Sequence, residues 1–327
     1  MNQSHFFIPP QAYKLGEVIA ENINSDRQII LTTHSSDLLK GIISKSTGVQ
    51  LIRINRIKDI NHAHILNTNE VLEISNNPLL ASTRVLEGLF YKSTIIVEAD
   101  ADSIFYKRIA DKLENSDNIH FVHAHNKQTV SKLIKPYINL GVRFSAIIDF
   151  DAIRVRSEFK NILQNFNVST EEITLILEKQ EKIVTYIESD EPKKRLEILK
   201  EKLQNEIDKL NTSSDEPDNL ILNTSRELKR IRESSNAWSD YKKNGIVSLD
   251  QSSKILFNDI DTICKSYGLF IVPVGELESW LIDDIPYSSN KSKWITKALE
   301  KISDLDIKDK PIEIFMKEII EYLNSNE

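Results

Sequence analysis

The sequence predicts an α/β fold: a parallel sheet flanked by helices. Between residues 92 and 151, short apolar runs rich in β-branched residues alternate with segments of helical period, the order that produces parallel strands joined by crossover helices. A further apolar run, "GLFIVPVGELESWL" at 268–281, returns after a long charged stretch. Each run passes directly into carboxylates: "TIIVEADAD" at 94–102, "SAIIDFD" at 145–151, and the "GELE" of the third. Parallel sheets place their ligands beyond the carboxyl ends of the strands, so one pattern gives both the fold class and a candidate site.

In chain order, "PQAYKLGEVIA" from Pro10 to Ala20 has helical spacing with Pro in the first turn. In "QIILTTHSSDLL", Ile29 to Thr33 read as a buried strand, and Ser35 and Ser36 as caps of the next helix. Residues 49–74 alternate apolar with polar and suggest a small antiparallel pair, followed by a helix through "LLASTRVLEGLF". A new segment opens at Lys92: strand Thr94 to Val97, helix Asp102 to Leu113, strand Ile119 to His123, helix Thr129 to Leu140, strand Ser145 to Ile148. From about Thr170 to Arg232 the chain is charged and nearly free of aromatics, with Leu196, Leu199, Leu203, Ile207 and Leu210 at heptad-like spacing and a break at "NTSSDEPDN". That pattern predicts a helical hairpin inserted into the sheet domain, its charges solvated or serving as an arm for dimerisation or for gripping DNA.

A chain of 327 residues with 40% apolar content can bury two or three cores. The sequence has no run of about eighteen apolar residues, and its start lacks the basic flank and apolar stretch of a secretory signal. A soluble, cytoplasmic protein without membrane partners is expected. Cys264 is the sole cysteine, which excludes internal disulfides and thiolate metal clusters. A net charge of −7 argues against tight, unaided binding of nucleic acid, unless a metal bridge or a partner subunit compensates.

Strands one and three of such a unit can be neighbours, so Glu98, Asp100 and Asp102 would face Asp149 and Asp151. Like charges this close destabilise one another by an order of a few kcal/mol unless protonated or held by a cation. Oxygen-only ligands select Mg²⁺ or Mn²⁺, and Glu276 with Glu278 would complete a second ion site for phosphodiester chemistry. The competing reading makes these acids helix caps, Asp102 and Asp151 above all. Lys127 reads as a phosphate contact or an exposed loop lysine; His123 and His125 follow a strand end and could approach the site. Lys242 and Lys243 form a small basic cluster, either a DNA contact or a solvated turn, and Trp280 and Trp294 read as core or interface residues rather than base-stacking platforms.

"IIVEADADSIFY" together with "AIIDFD" resembles the Glu and Asp-x-Asp motifs of a TOPRIM fold, the metal-dependent domain of topoisomerases, primases and several nucleases. "IILTTHSSDLL" resembles the switch-histidine region of ABC-type ATPases, and "FIPPQAYKLGEVIAE" the segment after their Walker B acids. With the late "GELE", the chain resembles the C-terminal region of overcoming-lysogenization-defect (OLD) nucleases. The resemblance implies four regions: an ATPase-domain remnant over 1–90, a first part of the TOPRIM core over 91–165, a helical insertion over 166–235, and completion of the TOPRIM domain with C-terminal helices over 236–327. It further implies that Glu98, Asp102, Asp149 and Asp151 ligate metal, with Glu98 a ligand or general base, that Glu276 or Glu278 supplies a late ligand, and that His34 senses the γ-phosphate of ATP. Cleavage of DNA, in phage defence or repair, is the implied activity. RNA cleavage, or regulation of an intact ATPase without catalysis, stands as the alternative. No G-x-x-x-x-G-K-[ST] motif occurs, so ATP would require a partner ATPase subunit; a homodimer is the other expected assembly. Ala99 stands where the family usually has Gly, which would cost roughly a kcal/mol if the position needed positive φ.

Overall fold

The computed structural model describes residues 8–325 except 24–27, 47, 79, 115, 125–126, 190–191, 214–215, 235 and 287–290. Helices α1 (Pro9–Glu21) and α2 (Ser36–Lys45) pack together at the amino end. Ser35 caps α2 through its side chain, which accepts from Leu38 N at 3.2 Å, while Ser36 lies inside the first turn. A hairpin follows, β1 (Leu51–Ile57) against β2 (Ile60–Leu66). The alternation stops there, because Asn67 and Glu70 form a reciprocal capping pair that starts α3 (Thr68–Asn76) within the stretch expected to be strand. The short α4 (Thr83–Glu87) leads into the sheet domain.

That domain runs β3 (Ser93–Val97), α5 (Asp100–Ala110), β4 (Ile119–His123), α6 (Lys127–Asn139), β5 (Arg143–Ile148), α7 (Arg156–Asn165), α8 (Thr170–Ser189), α9 (Pro192–Thr212), α10 (Pro217–Ser234), α11 (Ser239–Asn244), α12 (Gln251–Ser266), β6 (Leu269–Ile271), α13 (Lys291–Asp304) and α14 (Pro311–Asn324). The strands form one parallel sheet in the order β4-β3-β5-β6. Successive residues of a strand face opposite sides, and the two cores show it. Ile95, Val97, Ile147 and Phe270 meet α5, α13 and α14, whereas Ile96, Ala146, Ile148 and Ile271 meet α6, α7, α8 and α12. Burial on both faces explains why these strands read as continuous apolar runs rather than alternating ones. Each fully buried Ile contributes about 2–3 kcal/mol of transfer free energy.

Two expectations are corrected. Ile29 to Thr33 form no strand: residues 28–35 have no regular secondary structure and no strand partners among the described residues, and Ile30 is 84% exposed. A strand needs neighbours for its N–H and C=O groups, and the described chain supplies none there. The charged stretch forms three helices rather than a two-helix hairpin. The first of them, α8, buries Ile173, Ile176, Ile183 and Ile187 in the main core, while α9 and α10 pair as the protruding arm. On α9 the heptad-like pattern is only partly covered, since Leu196, Ile207 and Leu210 are exposed.

Candidate active site

The exits of β3 and β5 lie side by side because these strands are adjacent and parallel, with Ile96 opposite Ala146. Glu98 leaves β3 and Asp149 leaves β5; the backbone N of Asp149 donates to Glu98 Oε1 at 3.2 Å. Four residues after Glu98, Asp102 sits in the opening turn of α5. Its Oδ2 accepts from Ala99 N at 2.8 Å, which is the capping role of the competing reading. Its Oδ1 is buried without a hydrogen-bond partner and lies 3.8 Å from Lys291 Nζ. Asp102 therefore both caps and faces the cluster. Ala99 has φ of −129°, ordinary extended backbone, so alanine is unstrained there.

The third contribution comes from the turn after β6. Gly275 has φ of +113°, and a Cβ there would meet Lys242 O at 2.1 Å, so only glycine lets this turn rest on the end of α11. Phe150 N donates to Gly275 O at 2.8 Å, tying the exit of β5 to the same turn. Glu276 and Glu278 are thereby carried toward Asp149. Glu278 is buried to 1% exposure, with Oε2 lacking a hydrogen-bond partner.

Two lysines complete the arrangement, and no sequence motif points to either among the acids. Lys242 Nζ lies 2.7 Å from Asp151 Oδ2, so it belongs to the carboxylate centre rather than to a solvated turn or a separate DNA contact. Lys291, at the start of α13, faces Asp149, Asp102, Glu278 and Glu276. Burial works against its charge, yet these four acids together hold its pKa above the usual lysine value. The acids show the complementary effect. Burial, then Glu98, pushes Asp149 well above the ordinary carboxylate range, with Asp102 and Asp151 adding to the rise and Lys291 opposing it. Burial also raises Asp102 against the pull of Lys291. It pushes Glu278 up to about 7, with Lys291 opposing and Glu276 and Asp102 contributing.

Asp100, grouped with these acids in the sequence, faces elsewhere: its carboxylate pairs with Arg84 at 2.8 Å and lies 3.5 Å from His123 Nδ1. His34 is exposed just before α2. His125 and the Lys127 side chain lie outside the described residues. Trp294 is buried, and Trp280 donates to Tyr106 Oη at 2.9 Å.

Among the described residues, no three Asp, Glu, His or Cys side chains stand close enough to hold a metal ion together. The chemistry of the donor set nonetheless fits a hard divalent cation. The donors are all oxygen, two buried carboxylate oxygens lack a hydrogen bond, and several acids are under like-charge strain that two ammonium groups only partly relieve.

Residues 89–151 match the family model of the TOPRIM domain of overcoming-lysogenization-defect-like proteins. The matched segment holds β3, β4 and β5 with Glu98, Asp102, Asp149 and Asp151, about a fifth of the chain. No curated protein matches the chain. A mixed α/β architecture with a four-stranded parallel sheet between helices agrees with a TOPRIM-like fold. Such a domain points to divalent-metal binding and to metal-dependent cleavage of nucleic acid in general. Among the described residues, no helix is long and apolar enough to cross a membrane.

Proposed function

We propose that this chain is an OLD-like endonuclease that nicks or cuts DNA by two-metal phosphodiester hydrolysis, acting in the cytoplasm in phage defence or repair. The observation that supports this reading is that acids from three separate strand exits gather around Lys291 and Lys242, with orphaned buried oxygens on Asp102 and Glu278. Glu98, Asp102, Asp149, Asp151 and Glu278 would hold Mg²⁺ or Mn²⁺, with Glu276 at the rim. Two such ions would stabilise the attacking and leaving oxygens of the phosphodiester. Glu98 would take the proton of the attacking water. Lys291 and Lys242, set among these acids, would meet the oxygens of the scissile phosphate.

The test is incubation of the purified chain with Mn²⁺ and either plasmid or total tRNA. Nicked or linear plasmid is expected, lost in Asp149→Ala and Asp151→Ala. Cleavage of tRNA alone would favour RNA as the substrate, and unchanged metal affinity and cleavage in both variants would sink the reading.

A second reading concerns the amino-terminal region and rests on the exposed Ile29, Ile30 and Leu31, which have no strand partner among the described residues. Residues 1–90 would dock on an ABC-type ATPase subunit, with His34 completing an ATP site there. Co-purification with such a subunit, abolished by Ile30→Asp, tests it.

A further inference from the structure

At the opposite end of the sheet from the carboxylates lies a cleft of about 830 Å³. One wall is the β1–β2 ribbon, which contributes Arg53, Arg56 and Lys58; the other is the entry to β3 and β5, which contributes Lys92 and Arg143. Five of the twelve lining residues are basic and none is acidic, in a chain whose net charge is −7. The contrast with the acidic strand exits, where even two lysines leave the carboxylates strained, could hardly be larger within one domain.

The cations are built in rather than scattered. The Arg53 guanidinium donates to the carbonyls of Leu89 at 2.8 Å, Gly141 at 2.9 Å, Leu140 at 3.2 Å and Tyr91 at 3.3 Å. Carbonyls orient the group without cancelling its charge. Arg143 is held over the Tyr322 ring, its guanidinium carbon 5.0 Å from the centroid, and donates to Tyr322 O at 3.1 Å. Arg56 is exposed and pairs with the exposed Asp59 at 3.1 Å, a solvent-screened contact that is readily exchanged. The cleft also presents two aromatic rings, Phe90 and Tyr91, each more than a third exposed. Cations beside exposed rings are the combination that holds an unpaired strand, with phosphates on the basic groups and bases on the rings.

We propose that the cleft between the β1–β2 ribbon and the entry ends of β3 and β5 binds an unpaired nucleic-acid strand at a site separate from the carboxylate centre. Its ligand class rests on the nuclease reading, for which the cleft supplies a second hold on the substrate. Lys92 and Glu98 are six residues apart along β3, as are Arg143 and Asp149 along β5, which separates the two sites by roughly 20 Å. About six stacked nucleotides span that distance. The basic cleft also resolves how an acidic chain would retain a polyanion while its metal centre is empty of substrate.

The experiment is fluorescence anisotropy of the full chain with a labelled unpaired oligonucleotide of about twenty nucleotides, in EDTA, over a salt series. The test variant combines Arg56→Glu, Lys58→Asn and Lys92→Glu. Lys58 has φ of +53°, a conformation that Asn tolerates, and all three side chains are exposed, so folding is preserved; thermal unfolding verifies it, and the milder Arg56→Gln is the second variant. The triple variant is expected to bind at least about tenfold more weakly and to lower the salt slope by about 2, with Arg56→Gln intermediate. Phe90→Ala is expected to weaken the unpaired strand and leave a duplex of equal length unaffected. Unchanged affinity and slope in the triple variant would overturn the assignment. So would displacement of the strand by millimolar inorganic phosphate or mononucleotide, which marks a small-anion pocket, or duplex binding that depends on the cleft as strongly as strand binding. Plasmid and tRNA cleavage with Mn²⁺, measured on the same preparations, separates the two ideas: a wild-type chain that binds through the cleft but cuts nothing refutes the nuclease reading alone.

Discussion

Two stretches of this chain are nearly interchangeable on paper and opposite in the molecule. "QIILTTHSSD" and "STIIVEADAD" both run β-branched residues into a polar, chemically capable terminus. In the second, β3 has a parallel neighbour on each side, and Ile96 is 0% exposed between two layers of helices. In the first, Ile30 is 84% exposed and no strand pairs with it among the described residues. An apolar, β-branched run records what a chain can pair with; the pairing needs a neighbour to satisfy the backbone. Glu98 is consequently held by the exit of the neighbouring strand β5, while His34 ends a segment with no strand partner among the described residues.

The contrast can be tested at several scales. The largest effect is expected at the two termini themselves: Glu98→Gln should lower Mn²⁺-dependent plasmid nicking by about 10³-fold, the range of a lost general base, whereas His34→Ala should leave it within about twofold. Equal losses in a nicking assay would mean that both termini serve one site. Next, Ile96→Ala should cost about 2–5 kcal/mol in urea unfolding through the cavity it leaves, and Ile30→Ala under about 0.5 kcal/mol. A large effect of Ile30→Ala in the isolated chain would show that the amino-terminal segment is already paired.

A third test uses pH. The folded Glu278 is pushed up to about 7 from an ordinary 4.5. Between those values the unfolded chain ionises while the folded one stays protonated, so folding loses stability as pH rises through this window. Thermal melts in EDTA should show that loss, Glu278→Gln should flatten it, and Mg²⁺ should counter it; a Glu278→Gln profile parallel to the wild type would refute the assignment. The smallest effect is expected from Ala99→Gly. With φ already extended, glycine relieves nothing and should destabilise by under about 1 kcal/mol in the same unfolding assay, through the entropy of the unfolded chain.

Much of the sheet domain was legible. Its strands are buried on both faces, so their apolar runs are long enough to read, and the acids at their ends stand where the chain direction must carry them: Glu98, Asp149 and Glu278 follow strand exits by one, one and seven residues. What could not be read depended on space rather than order. Lys291 opens α13, whose apolar period marks a helix but not what its first residue meets, and it reaches the acids only because α13 packs on α5. Lys242 looked like a surface turn because Gly275, far along the chain, is what brings the two segments together. Asp100 carries the same local signal as Asp102, but two residues along a helix point to opposite faces, and Asp100 meets Arg84 instead.

The route from β5 to β6 takes the chain through residues 149–268, yet the two strands pair in register at Ala146–Leu269, Ile147–Phe270 and Ile148–Ile271. The detour carries the α9–α10 arm outward, and the entropic cost of closing so long an excursion rises only logarithmically with its length. The arm can thus be trimmed, extended or exchanged while the register beneath it stays fixed, which leaves this fold a place to vary its reach without touching its chemistry.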